Sequence, residues 1–294
     1  MRLGFLGLGA IGRPMAAHLA GHDLTVWNRT ESVARAFADH HDVRRAATPV
    51  ELAARVEAAL TCLPTSAEVQ EVMFGPEGVA EGLAPGSLVI DCTSGDPARS
   101  RMIGKALAER GVLFVDAPVS GGTNGALAGS LTVMVGGPKK AYARALPILS
   151  AFASRVEHVG PLGTGHALKA VNQAVLATNI LALGEGLAAL VKLGVSGGRA
   201  VEVLNASSGR SFVSEQLVPE RVLTGEWPKT FRLALLDKDA AIALEVLEGA
   251  GVAGPVLHRV SELLHRARAE LGEEADYLEA IKLNEREAGV KIRE

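Results

Sequence analysis

The decapeptide Leu3-Gly4-Phe5-Leu6-Gly7-Leu8-Gly9-Ala10-Ile11-Gly12 constrains this chain more than any other segment. A short apolar run, long enough for one strand, leads directly into G-x-G-x-x-G, and a helical pattern begins at Gly12. The first glycine permits a tight turn. The second has no Cβ, so backbone there can lie against a pyrophosphate. The third lets the helix pack closely on the strand. The start of that helix offers free N–H groups and a partial positive charge to phosphates. The sequence therefore predicts a strand–turn–helix that opens a dinucleotide-binding unit, with Gly7, Leu8, Gly9, Ala10, Ile11 and Gly12 lining the cofactor.

The alternation continues. Strand-like runs at Leu24–Trp27, Ala58–Leu63, Leu88–Cys92, Leu113–Asp116 and Leu131–Val135 are separated by helical stretches, the first of them Gly12–Gly21. Strands spaced by helices build a parallel, doubly wound sheet joined by right-handed crossovers. After Gly160 the strand signal fades. His166–Leu193 reads as one long apolar helix, too apolar to lie alone on a surface. Gly198–Ser207, Glu215–Thr224, Leu233–Gly249 and Val256–Glu270 follow as further helices. The expected organisation is an α/β fold: a Rossmann-type parallel sheet over residues 1–160, then an all-α domain over 161–294 for substrate and oligomer contacts.

Composition excludes several classes. The net charge is −3 and no block of Lys and Arg stands out, which argues against nucleic acid as a partner. The two cysteines, Cys62 and Cys92, lie in apolar strand-like runs and read as buried structural thiols. Neither they nor the scattered histidines have metal-ligand spacing, so no metal is expected. The apolar N-terminus is interrupted by glycines, unlike a signal peptide. No apolar run reads as long and glycine-free enough to span a bilayer. A cytoplasmic protein with no membrane partner is expected.

The end of the second strand selects the cofactor. An acidic residue there would bind the ribose 2′-hydroxyl of NAD, whereas this chain has Trp27-Asn28-Arg29-Thr30. Arg29 can pair with a 2′-phosphate and stack on adenine; Asn28 and Thr30 can add neutral hydrogen bonds. NADP is the expected cofactor, with NAD the alternative. Glu31 is read as the start of the next helix. Ligands of open α/β sheets sit at the carboxyl ends of strands. Leu63-Pro64-Thr65 and Cys92-Thr93-Ser94 are therefore cofactor-lining candidates, with Leu63, Pro64, Thr93 and Ser94 the residues in contact.

Two segments carry candidate chemistry. In Asp116-Ala117-Pro118-Val119-Ser120-Gly121-Gly122, the Ser120 hydroxyl and the bare amides of Gly121 and Gly122 can form a concavity for a carboxylate. In Gly163-Thr164-Gly165-His166-Ala167-Leu168-Lys169-Ala170-Val171-Asn172-Gln173, Lys169 sits one turn inside an apolar helix. Desolvation favours the neutral amine, which can then act as a general base. Asn172 and Gln173, three and four residues on, share its face. His166 reads as a structural or phosphate-side residue.

Together these segments resemble the β-hydroxyacid dehydrogenase family. The likeness covers nearly the whole chain and includes Gly7-x-Gly9-x-x-Gly12, Asp116–Gly122, Gly163-x-Gly165-x-x-x-Lys169, Ser207-Ser208-Gly209 and Phe231…Lys238-Asp239. The resemblance implies that Lys169 is the catalytic acid/base and that Ser120, Gly121 and Gly122 hold the substrate carboxylate. It also implies that Lys238 approaches the cofactor from the helical domain, that Phe231 lies by the substrate, and that Ser94, matching a family threonine, touches the cofactor. The implied activity is NAD(P)-dependent oxidation of a small 3-hydroxy acid, or reduction of the semialdehyde, by a homodimer or homotetramer. One departure stands out: the family commonly has two asparagines after the lysine, and here the second is Gln173. Its longer reach bears on substrate preference.

Overall fold

A computed structural model describes residues 1–293. The chain divides into two compact units, Met1–Lys169 and Ala170 onward.

The first unit is built on a sheet that, among the described residues, has nine strands. Six of them alternate with helices, five as expected and the short β3 in addition. They are β1 (Arg2–Leu6), β2 (Asp23–Trp27), β3 (Arg44–Arg45), β4 (Ala58–Thr61), β5 (Leu88–Asp91) and β6 (Leu113–Asp116). Their order across the sheet is β3-β2-β1-β4-β5-β6, all parallel. This is the order of a dinucleotide-binding fold, and it places the switch point between β1 and β4. The central strands are buried on both faces because helices cover both sides. One apolar cluster, including Phe5, Met15, Leu19 and Phe37, lies on one face. A second, including Leu6, Leu52, Met73 and Phe114, lies on the other.

Register is what makes the sheet useful. Leu6 pairs with Trp27 and Thr61, Thr61 with Asp91, and Asp91 with Asp116. The last residues of five parallel strands thus stand in one row. Every loop that carries a candidate cofactor residue leaves from that row.

The far side of the sheet departs from the expectation of a purely parallel arrangement. Strands β7 (Val119–Ser120) and β8 (Leu131–Gly136) follow, and β8 runs antiparallel to both β6 and β7. The residues between β6 and β8 carry β7 and one short helix. A strand that the sequence did not suggest, β9 (Ala153–Gly160), lies parallel to β8 and pairs with no other. Its Arg155 and Glu157 give it little apolar pattern, as befits an edge.

The helical elements that bear on the site are α1 (Gly12–His18), α2 (Glu31–His41) and α3 (Pro49–Ala53). They continue with α4 (Ser66–Phe74), α5 (Val79–Gly82), α6 (Pro97–Ala108), α7 (Gly122–Ala128), α8 (Lys139–Leu149) and α9 (Thr164–Lys192). Helix α1 is shorter than the Gly12–Gly21 expectation. Helix α9 runs for 29 residues, and the boundary between the two units falls within it, after Lys169.

The second unit is helical throughout: α10 (Gly197–Asn205), α11 (Leu233–Gly249), α12 (Pro255–Leu271) and α13 (Ile281–Ala288). Val213–Val222, expected as ordinary helix near Glu215–Thr224, is a π-helical stretch. Pro219 has no N–H to give to an α-helical ladder. The chain there takes wider turns, as in the bond from Leu223 N to Val218 O at 3.0 Å. The core of this unit joins Ala177, Ile180 and Leu187 of α9 to Leu217, Leu236, Leu264, Leu278 and Ile281.

Helix α9 corrects one reading of the sequence. By length and by a mean hydropathy of 1.8 over its most apolar 18 residues, it is sufficient to cross a bilayer. Those two measures also fit a core helix, and 39% of that window is already buried within the chain.

Candidate functional site

The site grows from one buried carboxylate. Asp116 ends β6 and is 0% exposed. One of its oxygens accepts the Gly163 N–H at 2.7 Å and the other the His166 N–H at 2.8 Å. Those are orphan donors at the start of α9, and a charged acceptor satisfies them while complementing the helix dipole. The close approach requires glycine at three places. Gly163 has φ +91°. A Cβ at Gly165 would stand 2.3 Å from Met134 O and 2.8 Å from the Asp116 carboxylate. A Cβ at Gly136 would meet the same carboxylate at 2.5 Å. The first turn of α9 is therefore clamped to the ends of β6 and β8.

Lys169 lies one turn further along and is 7% exposed. Gln173, the next residue on that face, is also buried. Asn172 is exposed instead, and its amide donates to Gln173 Oε1 at 3.3 Å. The expectation that both amides share the lysine's face therefore divides: Gln173 is buried as Lys169 is, and Asn172 reaches Gln173 from the exposed side.

A second carboxylate organises the neighbouring strand ends. Asp91 Oδ1 accepts from Thr61 Oγ1 at 2.8 Å and from Thr93 N at 3.0 Å. Thr93 Oγ1 in turn accepts from Leu63 N at 3.1 Å. The loops after β4 and β5 are thereby tied together. Thr93 is buried, Leu63 and Ser94 are half-buried, and Pro64 is exposed. Burial disfavours the thiolate at both adjoining cysteines, pushing Cys62 up to about 12 and Cys92 well above its ordinary value.

The glycine turn has the three environments its spacing implies. Gly7 has φ +103°, and a Cβ there would stand 2.3 Å from Cys62 O. A Cβ on Gly12 would stand 2.0 Å from Gly7 O. A Cβ on Gly9 would meet nothing within 4 Å, so the turn is open where a pyrophosphate would lie. Leu8 is buried, Gly9 and Ala10 are exposed, and Ile11 is half-buried. The chain's own residues fit a dinucleotide on this ground alone.

Asn28 has a role that the sequence reading did not give it. Its Oδ1 accepts the Leu8 N–H at 3.0 Å and its Nδ2 donates to Thr30 O at 3.1 Å, so it fastens the glycine turn to the end of β2. Arg29 and Thr30 are exposed beside it. Glu31 does begin α2. Its carboxylate is held by Arg35 at 2.7 Å and Arg45 at 2.9 Å. The bond to Arg35, then the charges of Arg35 and Arg45, keep it below the usual carboxylate range. It is thus committed as an anion to Arg35 and Arg45 rather than to Arg29.

Ser120 ends β7, half-buried, and Gly121 and Gly122 are exposed with φ of +132° and +62°. Only glycine adopts such a pair at no cost. In the second unit, Phe231 packs edge-on against Tyr277 with ring centroids 5.7 Å apart. Its N–H donates to Asp276 at 3.0 Å. Lys238 Nζ lies 2.8 Å from Asp239 Oδ1. Among the described residues no group of three or more His, Cys, Asp or Glu side chains is placed to hold a metal.

The sequence reading missed the anchoring residues Asp91 and Asp116. The signal was present: Leu88-Val-Ile-Asp91 and Leu113-Phe-Val-Asp116 both close an apolar strand with an acid. A carboxylate at the end of a buried strand is costly unless it is hydrogen-bonded.

Two family models match the chain. One describes the NAD binding domain of 6-phosphogluconate dehydrogenase and covers residues 2–160. The other describes the NAD-binding of NADP-dependent 3-hydroxyisobutyrate dehydrogenase and covers residues 163–284. The chain is 34% identical to 2-(hydroxymethyl)glutarate dehydrogenase of Eubacterium barkeri, over 99% of this chain and 97% of that one. Among solved structures, Mycobacterium tuberculosis 3-hydroxyisobutyrate dehydrogenase with L-serine aligns with a TM-score of 0.88 and 29% identity. That alignment covers 96% of this chain and 98% of that one. Psf3 in complex with NADP+ and 2-OPP aligns with a TM-score of 0.85 and 25% identity, over 96% and 99%.

Proposed function

This chain belongs to the β-hydroxyacid dehydrogenase family and is an NAD(P)-dependent hydroxy-acid oxidoreductase, and we propose that it oxidises a small 3-hydroxy acid to its semialdehyde with Lys169 as the general acid/base. The observation that carries the assignment of Lys169 is its burial one turn inside a helix whose first turn is clamped by Asp116. A 3-hydroxyisobutyrate-like acid is the substrate class, supported by the names of the relatives.

In the proposed reaction, Ser120 and the Gly121 and Gly122 amides receive the substrate carboxylate. Gln173 and Asn172, on the same helix as Lys169, steady the substrate beside it. Lys169, as a neutral amine, takes the proton of the 3-hydroxyl; in the reverse direction its ammonium returns it. Bound nicotinamide supplies the hydride acceptor. Gly7, Leu8, Gly9, Ala10, Ile11 and Gly12 would hold the pyrophosphate, with Leu63, Pro64, Thr93 and Ser94 along the remainder of the cofactor. Asn28 contributes by holding the turn, and Arg29 with Thr30 would take a 2′-phosphate. Turnover of a panel of 3-hydroxy acids and semialdehydes tests the reading. Lys169→Ala should lower kcat by about 10²-fold or more while NADPH binding stays nearly intact. Near-normal turnover in that variant would remove Lys169 from the mechanism.

NADP is the preferred cofactor in this proposal, because Arg29 is exposed beside the glycine turn while Glu31 is held by Arg35 and Arg45. The same feature supports a second reading, in which the enzyme works mainly as an NADPH-dependent semialdehyde or tartronate semialdehyde reductase. Losing a charge-assisted contact of about 1.5–3 kcal/mol should cut kcat/KM with NADP+ by roughly 10- to 100-fold in Arg29→Asp and improve the ratio for NAD+. An unchanged preference would refute the assignment.

A cytoplasmic homodimer or homotetramer completes the proposal. Leu168 and Val175 on α9 are 43% and 50% exposed, and association would cover such apolar surface. Light scattering on the purified chain should give twice or four times the mass of one chain; a monomer at micromolar concentration would contradict it.

A further inference from the structure

His166 is fully buried, yet nothing in the proposed reaction uses it. Its Nδ1 lies 2.6 Å from Ser100 Oγ on α6. Its Nε2 has no hydrogen-bond partner among the described residues, and the nearest acidic oxygen, Asp91 Oδ2, is 3.9 Å away. Gly95, just past the Thr93–Ser94 loop, lies flush on the ring: a Cβ there would stand 2.9 Å from His166 Cε1 and 2.3 Å from Ser66 Oγ. The backbone N–H of His166 is one of the two held by Asp116. One imidazole therefore touches the end of β5, the loop after it and α6, while its own backbone is bound to β6.

An apolar side chain could fill the same space without leaving a buried nitrogen unsatisfied, a cost of about 1–3 kcal/mol. What an apolar residue would lack is the directional bond to Ser100. Ser100 Oγ also lies 3.1 Å from Asp96 O. If the serine gives its hydrogen to Asp96, the histidine donates to Oγ; if it gives it to the ring, Nε2 carries the hydrogen toward Asp91. Either arrangement fixes the ring's rotation, and a fixed ring fixes the helix turn that bears it against the loop on which it rests.

We infer that His166 is a positioning residue for Lys169: through Ser100 and the Gly95 backbone it holds the first turn of α9 in fixed register with the Thr93–Ser94 loop. The proton-transfer group and the cofactor loop after β5 are thereby aligned by one buried side chain. This inference rests on Lys169 being the acid/base.

The test uses the purified full chain with His166→Ala, His166→Asn, Ser100→Ala and the double variant His166→Ala/Ser100→Ala. An asparagine amide can take the place of Nδ1 and reach Ser100, but it cannot fill the place of Nε2. Because misplacement by about 1 Å can cost on the order of 10²-fold in rate, His166→Ala should lower kcat by roughly 10- to 100-fold, with the dissociation constant of NADPH little changed. His166→Asn should recover most of that loss. The double variant should be no slower than His166→Ala alone, since both changes break one link. Backbone hydrogen exchange, read without substrate, should rise in His166→Ala both at 93–96 and at 163–169 while 7–12 stays protected.

A purely structural role would lower the melting temperature and leave kcat and the exchange of 93–96 unchanged; that result overturns the inference. So does an Asn variant as slow as the Ala variant at equal melting temperature. Should His166→Ala fail to fold, Ser100→Ala and His166→Asn decide: a Ser100→Ala variant with wild-type kcat and exchange overturns it. Failure of the Lys169 assignment would be seen separately, as turnover that survives Lys169→Ala.

Discussion

The carboxylate of Asp116 is the interaction on which the proposed chemistry depends. A helix start leaves several N–H groups without partners, and a lysine one turn in is only as well placed as that start. Here the strand end supplies a buried anion that takes two of those N–H groups, so the helix and the sheet share one fixed point. Glycines at 136, 163 and 165 allow the approach, because side chains at 136 and 165 would occupy the same space as the carboxylate or backbone and the chain at 163 needs a positive φ. The apparently separate features G-x-G-x-x-x-K and the acid ending β6 are two halves of one joint.

The row of strand ends extends the same logic. Asp91 does for the loops after β4 and β5 what Asp116 does for α9: it accepts the local donors and binds the neighbouring loop through Thr61 and Thr93. Asn28 does it for the glycine turn. Each cofactor-side loop is thus held by a polar side chain anchored at or just beyond the sheet's edge, and the order β3-β2-β1-β4-β5-β6 places those loops around one switch point. Such support allows short, glycine-rich loops to keep a defined shape beside a charged ligand.

Much of this was legible in the residues themselves. The glycine turn, the strand periodicity and the apolar α9 follow from local rules: φ freedom at Gly7, close packing at Gly12 and a helical pattern from His166 to Leu193, within three residues of the helix observed. Strand β9 did not follow, because an edge strand carrying Arg155 and Glu157 lacks the apolar pattern by which strands are found. The π-helical turn at Val213–Val222 also eluded the pattern, since its apolar spacing differs little from that of an ordinary helix. Asn28 also has a role within the fold that its place beside Arg29 did not reveal: its amide bonds Leu8 and Thr30. The roles of Asp91, Asp116 and His166 needed the third dimension, because their partners lie from 2 to 66 residues away in sequence.

The decisive measurement is chemical rescue of the Lys169→Ala variant by small primary amines. With a saturating 3-hydroxy acid and NADP+, turnover should be low in plain buffer and should rise in proportion to the free-base concentration of methylamine or ethylamine, while wild-type turnover stays indifferent to them. Such a dependence would identify a neutral amine at that position as the group that moves the proton. Turnover that is substantial without added amine, and unaltered by it, would contradict the role given to Lys169.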